Sequence, residues 1–280
     1  MAEIVPLAEA IGAAVHDGDA VAMEGFTHLI PFAAGHEVIR QRRRDLTLIR
    51  MTPDLIYDQL IGAGCARKLV FSWGGNPGVG SLHRFRDAVE RSWPAPLEIE
   101  EHSHAGMANR YVAGASGLPF AMLRGYRGTG LMEAGGPGRD GPQHPSIRAV
   151  TCPFTGEILT AVSALNPDVA IVHAQRADTS GNVQLWGITG IQKEAVLAAR
   201  RSVVTVEEIV PALDPRPDAV VLPAWTVSYV AAAPGGSRPS YALGYYDRDN
   251  DAYQAWDQIS RDRERFGQWL DTEIFGAARV

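Results

Sequence analysis

Asp17-Gly18-Asp19-Ala20-Val21-Ala22-Met23-Glu24-Gly25-Phe26-Thr27-His28-Leu29-Ile30-Pro31 is the stretch on which the fold of this 280-residue chain turns. Asp17-Gly18 is a turn signal, Ala20 to Met23 a short apolar run, Gly25 a break in side-chain cover, and Pro31 the opening of a helical pattern. That order predicts turn, buried strand, backbone-exposing loop and helix. In an open parallel sheet such a loop lies at the carboxyl ends of the strands, in the crevice where ligands bind. Gly25 removes the Cβ where backbone amides could meet a ligand, and Pro31 suits a first helical turn because its missing N–H is not needed there. Taken alone, the same pattern also describes an ordinary strand-to-helix turn, so the rest of the chain has to decide.

Working outward, strand, loop and helix keep alternating. Residues 7–16 repeat Leu7, Ala10, Ile11, Ala14 and Val15 at helical spacing. A helix is predicted over residues 32–44, a strand over 46–49, a helix over 54–61 and a strand over 68–71. That strand runs into Ser72-Trp73-Gly74-Gly75-Asn76-Pro77, too glycine-rich for a plain connector. A helix marked by Leu82, Phe85 and Val89 leads to a strand over residues 97–101. It runs into His102-Ser103-His104-Ala105-Gly106, followed by a helix over 107–116, a strand over 120–123 and a third loop from Arg124 to Gly130. Cys152 to Glu157 reads as a hairpin turn beside a strand over residues 158–162. Further strands are expected over residues 168–173, 203–206 and 219–222, and helices over 192–200 and from Asp251 onward. The alternation predicts an α/β protein with an open, mostly parallel sheet, helices on both faces, right-handed crossovers and the glycine loops at one edge. One domain over residues 1–280 is expected, with a Gly/Pro-rich insertion near 133–146 and a C-terminal helical extension near 251–270.

Composition narrows the class. With 46% hydrophobic and 21% charged residues the chain matches a globular protein rather than a disordered or fibrous one. No apolar run is long enough for a bilayer and the N-terminus lacks the order of a secretion signal, so a cytoplasmic protein without a membrane partner is expected. Cys65 and Cys152 are too few for a disulfide framework and lack metal-ligand spacing. A net charge of −6 opposes non-specific nucleic-acid binding. The cluster of Arg40, Arg42, Arg43 and Arg44 closes a helix, where cations complement the dipole, and is read as a helix end rather than a phosphate site.

The chain carries no Gly-x-Ser-x-Gly elbow, no His-Glu-x-x-His helix and no phosphate-cradling loop of the P-loop type. His102 and His104 lie two apart at a strand end and are read as poor joint metal ligands. His104, beside Ala105-Gly106, is placed to donate to a developing oxyanion; the alternative is a histidine satisfied in the core. Of Glu100 and Glu101, one is expected only to flank the sheet.

Several of these segments together carry a resemblance. Asp17-Gly18 through Gly25-Phe26, the Asp54-Leu55 to Gly64 helix, the segment from Glu101 to Leu118-Pro119-Phe120, Arg176-Ala177-Asp178 with Gly181-Asn182, and Val206-Glu207-Glu208-Ile209-Val210 resemble the α subunit of class I coenzyme A transferases. The glutaconate type is the nearest, and the likeness covers residues 1–211. It implies the open α/β fold shared by CoA transferases and sugar-phosphate isomerases, and a homologous β subunit, with an α2β2 assembly. It further implies an acyl-CoA and a small carboxylic or dicarboxylic acid as substrates, with a CoA thioester passing through and no permanently bound cofactor.

In this family the acyl-CoA is attacked by a glutamate of the β subunit, and splitting one acyl transfer into two steps gives ping-pong kinetics. The α subunit is then expected to supply cavity wall and oxyanion donors. His104 falls where 3-oxoacid transferases carry a glutamine, so the resemblance implies a catalytic donor there. Gly25, Phe26, Thr27, Ser72, Gly74, Asn76 and Thr129, on the three loops, are the expected substrate-binding residues. The family's Gly-Gly-Phe is Glu24-Gly25-Phe26 here, Pro31 comes one residue early, and related steroid-degrading hydrolases carry an acid at the His104 position. A CoA-thioester hydrolase, carbon–carbon bond hydrolase or decarboxylase on the same scaffold, and a non-catalytic ligand-binding subunit, therefore stand as alternatives.

Overall fold

The computed structural model describes residues 2–77, 80–133 and 144–276. In chain order it runs β1 (Glu3–Ile4), α1 (Leu7–Ala14), β2 (Ala20–Glu24), α2 (Phe32–Arg40), β3 (Leu46–Ile49), α3 (Leu55–Gly62), β4 (Ala66–Phe71), α4 (His83–Arg91), β5 (Glu98–Glu101) and α5 (His104–Ala115). It continues with β6 (Phe120–Leu123), α6 (Gly130–Glu133), β7 (Ile147–Thr151), β8 (Ile158–Ser163), β9 (Val169–Asp178), β10 (Val183–Trp186), α7 (Gln192–Ala198), β11 (Arg201–Val210), β12 (Ala219–Leu222), β13 (Tyr229–Ala232), α8 (Asn250–Ser260) and α9 (Arg263–Trp269).

The main sheet follows the order β1-β13-β11-β9-β2-β3-β4-β5, with every neighbouring pair along that path parallel. From β2 the chain winds to β5 on one side and, after leaving the sheet, returns to β9 on the other. The order therefore reverses between β2 and β9, which makes their carboxyl ends the switch-point crevice.

Alternation of side chains along the strands feeds two cores. Val21 and Met23 join Leu48, Leu69 and Ile171 under α1, α2, α3, α8 and α9, whereas Ala22 joins Ile49, Val70 and Val172 under α5 and α7. Helices thus cover both faces, and strands buried on both sides read as continuous apolar runs. The C-terminal helices belong to the first core through Tyr253, Trp256 and Phe266.

Three expectations are corrected. The strand β6 does not continue the parallel alternation; it pairs antiparallel with β8 in a separate sheet of order β6-β8-β7. Phe120 is 42% exposed and Met122 47%, so β6 is half-covered, packed only on a small core of Tyr126, Ile147 and Val162. The loop carrying Thr129 consequently leaves a different sheet from the one that delivers Gly25 and Ser72. Second, α2 stops at Arg40 rather than Arg44, because Arg42 and Asp45 take left-handed backbone, each at φ 56. The arginine cluster serves helix ends: Arg44 donates to the carbonyls of Ala63 and Gly64 at 2.6 and 2.8 Å, Arg43 to Gly12 and Arg40 to Ile274. Third, α5 begins at His104 rather than Met107, since the Ser103 hydroxyl caps it by accepting from Gly106 N at 3.0 Å. The strands β1, β10 and β13 were not anticipated. Most of the expected Gly/Pro-rich insertion, residues 134–143, lies outside the described residues. Among the described residues no helix is long and apolar enough to cross a membrane.

Candidate active site

The first wall of the switch-point crevice is the loop after β2. Gly25 sits where a Cβ would come within 2.7 Å of the Leu29 carbonyl and 3.0 Å of the His28 carbonyl, so the loop closes only on glycine. Beyond it Thr27 and Leu29 hold left-handed backbone at φ 57 and 51. Such non-glycine conformations cost of order 1 kcal/mol or more each and persist where the surroundings impose them. Those surroundings are evident: Ser240 Oγ donates to the Thr27 carbonyl at 2.7 Å, and Leu29 N to the Tyr241 carbonyl at 3.0 Å. His28, fully buried, bridges the Ile188 carbonyl and Leu243 N, a pairing that fixes it as the neutral tautomer with Nδ1 donating. Burial lowers its pKa in the same direction. The loop therefore presents Phe26, 42% exposed, and Thr27 on a fixed frame.

Beneath it lies a set of buried charges. Arg50, at the carboxyl end of β3 and with no exposed surface, donates to both oxygens of Asp54 at 2.9 and 3.2 Å and to the Gly25 carbonyl at 2.6 Å. The guanidinium thus ties the β2 loop to the start of α3. Glu24 is buried as well; its Oε1 accepts from the Tyr111 hydroxyl at 2.8 Å and from Met51 N at 3.1 Å. Burial pushes the Glu24 carboxyl up to about 7 against the opposing charge of Arg50 and the bond from Tyr111.

The second wall is the loop after β4. Ser72 Oγ donates to the Met51 carbonyl at 2.6 Å, Asn76 Nδ2 to the Tyr253 carbonyl at 3.0 Å, and Arg248 to the Pro77 carbonyl at 2.9 Å. These bonds hold out Trp73, 47% exposed, and Pro77 toward the crevice.

The third wall is the N-terminus of α5, where the two histidines part. His102 is buried, between the Tyr126 hydroxyl at 3.0 Å and Glu100 at 3.0 Å, with Arg110 at 2.7 Å; burial takes its pKa down to about 4. Glu100 is the sheet-side acid. Against the cost of burial, hydrogen bonds from His102 and Ser146 and the charges of Arg110 and Lys68 hold it far below the usual carboxylate range. Glu101 is exposed. Tyr126 also accepts from Ser103 N at 3.1 Å, and its hydroxyl lies where a Cβ on Gly106 would fall, so glycine is needed for the helix to approach. His104, one residue past the cap, turns outward into the crevice.

Together Phe26, Thr27, Arg50, Thr52, Asp54, Trp73, Pro77 and His104 line a cleft of about 240 Å³, the size of a small acyl group. Of the residues expected from sequence, Phe26, Thr27 and His104 meet there and Gly25 forms the bend behind them. Gly74 lies on the wall loop between Trp73 and Pro77. Ser72 and Asn76 direct their side-chain donors at backbone carbonyls, and Thr129 donates to the Tyr126 carbonyl at 2.7 Å in the loop after β6. Arg50, Thr52 and Asp54 were missed; an arginine and an aspartate four apart directly after an apolar strand were the available signal.

Comparison with known proteins follows the same lines. The family model described as "Coenzyme A transferase" matches residues 5–233. The chain is 63% identical to the A-subunit of the 3-oxoadipate CoA-transferase of Pseudomonas knackmussii, over 99% of this chain and 95% of that one. It is 32% identical to the A-subunit of the glutaconate CoA-transferase of Acidaminococcus fermentans over 98% and 88% of the two chains. The crystal structure of that glutaconate enzyme superposes with a TM-score of 0.86 over 98% of this chain and 89% of its own. A variant of the decarboxylase AibA/AibB superposes at 0.81, with 29% identity over 96% and 98% of the chains.

Proposed function

This chain belongs to the coenzyme A transferase family as an A-type subunit, and on that footing we propose that it moves CoA between a CoA thioester and a small 3-oxo dicarboxylic acid such as 3-oxoadipate. The near-full-length identity to a 3-oxoadipate CoA-transferase subunit supports that substrate class. Relatives named as A-subunits imply a second subunit, and we assign to it the nucleophilic glutamate, in an α2β2 complex of the cytoplasm with no permanently held cofactor.

The observation that carries the reading is His104 on the first turn of α5, facing Phe26 and Thr27 across the cleft. The partner's glutamate attacks the thioester carbonyl, the carbonyl oxygen gains charge, and an imidazole N–H aimed at that oxygen lowers the barrier. The CoA thiolate leaves, then attacks the glutamyl carbonyl of the mixed anhydride and expels the first acid as its carboxylate. The carboxylate of the second acid attacks the resulting enzyme thioester, and the same steps in reverse release the new acyl-CoA and the free glutamate. Phe26 and Trp73 form an apolar wall that keeps water from the anhydride.

The test uses the chain co-expressed with its partner subunit, assayed with succinyl-CoA and 3-oxoadipate. His104→Ala is expected to lose ~10²–10³ in kcat, the cost of one oxyanion donor. No transfer by the assembled complex, or full turnover in His104→Ala, overturns the proposal. A decarboxylase on this scaffold is the second reading, favoured by the superposition at 0.81. His104→Gln separates them, since a glutamine keeps an N–H donor but moves no proton: a transferase keeps most of its turnover and a proton-transferring enzyme loses it.

A further inference from the structure

Glu24 stands where three parts of the fold meet without touching the cleft itself. It ends β2, its Oε1 takes the Tyr111 hydroxyl of α5, and the same oxygen takes Met51 N from the segment that carries Arg50 and Asp54. Tyr111 lies seven residues after His104. Two helical turns bring both side chains to one face, about 10 Å apart along the axis. We propose that Glu24 is a positioning residue: through Tyr111 it sets where the first turn of α5, and with it His104, stands against Phe26 and Thr27. Through Met51 it fixes the Arg50–Asp54 segment to the same point.

The geometry gives this anchor few substitutes. On the far side α5 is held by Arg110, which donates to Glu100 at 2.8 Å and to the Ser163 carbonyl at 3.0 Å. On the cleft side the Tyr111–Glu24 bond is the polar tie from the helix to β2. Arg50, Tyr57 and Tyr111 are the ionisable groups that face Glu24, from the β3 exit, α3 and α5 respectively. With the carboxyl neutral, the Arg50–Asp54 pair beneath the cleft is balanced. Ionisation adds a negative charge under the site of an anionic acid, so the carboxyl's burial-raised pKa of about 7 predicts a rise in KM for the acid above neutral pH.

The proposal rests on His104 being the donor of the transfer reaction, and the experiment keeps the two apart. In the complex with the partner subunit, assayed with succinyl-CoA and 3-oxoadipate, Glu24→Ala is expected to lower kcat at least tenfold. The KM for succinyl-CoA should stay within about threefold, and the His104 imidazole resonance should move in the ¹⁵N-histidine-labelled complex. Tyr111→Phe is expected to reproduce the kcat loss. Glu24→Gln retains an oxygen acceptor for both donors, so it restores most of the turnover and flattens the acid-KM inflection near pH 7. If Glu24→Ala does not assemble, Tyr111→Phe and Glu24→Gln carry the test. Parental kcat in Tyr111→Phe together with a parental pH profile in Glu24→Gln overturns the inference, as does Glu24→Ala with parental kcat and an unmoved His104 resonance. If His104→Ala also keeps parental turnover, the assignment of His104 has failed; if it loses turnover while Glu24→Ala does not, only the positioning role has.

Discussion

Replacing Arg50 by methionine isolates the buried pair under the cleft. The guanidinium has no exposed surface and makes three hydrogen bonds, two to Asp54 and one to the Gly25 carbonyl. Its loss leaves an uncompensated carboxylate and a backbone acceptor at a buried position, and removing one member of a buried pair costs about 3–5 kcal/mol. At ~2–4 °C per kcal/mol for a chain of this general size, the melting temperature of the complex should fall by about 6–20 °C at fixed protein concentration. The double substitution Arg50→Met with Asp54→Leu removes the stranded charge too, so it should melt at least several degrees above Arg50→Met alone. The assay is thermal unfolding followed by circular dichroism across the two single variants and the double. A drop of less than 2 °C in Arg50→Met, or a double variant whose losses simply add, would refute the account of Arg50 and Asp54 as a coupled pair.

Three further outcomes are expected. Asp58, buried and bonded to Phe85 N at 2.8 Å and Trp256 Nε1 at 3.0 Å, has its carboxyl pushed up to about 7 by burial, so the folded protein holds this proton more tightly than the unfolded chain. Its stabilisation is therefore complete below about pH 4 and is lost as pH rises toward 7, by on the order of 4 kcal/mol; Asp58→Asn should show a shallower fall in melting temperature between pH 5.5 and 8 than the parent. Ser103→Ala removes the cap of α5, costing ~1 kcal/mol in stability, and because His104 sits on that turn it should also lower kcat; unchanged kcat would detach the cap from the site. Trp73→Ala opens an apolar wall of the cleft and is expected to raise KM for the acid about tenfold while kcat changes less, which steady-state kinetics on the two substrates would show.

The central strands were legible because they are buried on both faces. Val21 to Met23, Leu46 to Ile49 and Leu69 to Phe71 have little exposed surface, and only an apolar run satisfies that requirement. The partner of a strand is a different matter. Phe120 to Leu123 is as apolar as β3 but covers one face only, and its antiparallel partner β8 lies some forty residues on, beyond any local pattern. Val183 to Trp186 escaped for a related reason: its Gln184 breaks the apolar run, and the strand is completed by β12 and the end of β9. The start of α5 depended on one serine hydroxyl, a short-range signal that hydrophobic periodicity does not carry.

The same distinction governs the site. Phe26, Thr27 and His104 could be placed because each follows a strand whose carboxyl end topology brings to the crevice. Polar type alone was a poor guide to direction: the hydroxyls of Ser72 and Thr129 and the amide of Asn76 stood out in glycine-rich loops, yet all three donate to backbone carbonyls. A loop with few side chains leaves its own carbonyls unpaired, and the nearest short polar side chain is drawn to them before any ligand arrives. Arg50 and Asp54 carry the converse lesson. Neither has a glycine beside it, and as a pair they read like the solvated start of a helix. What makes them part of the cleft is Gly25, whose carbonyl, 25 residues earlier in the chain, accepts the third bond of the guanidinium.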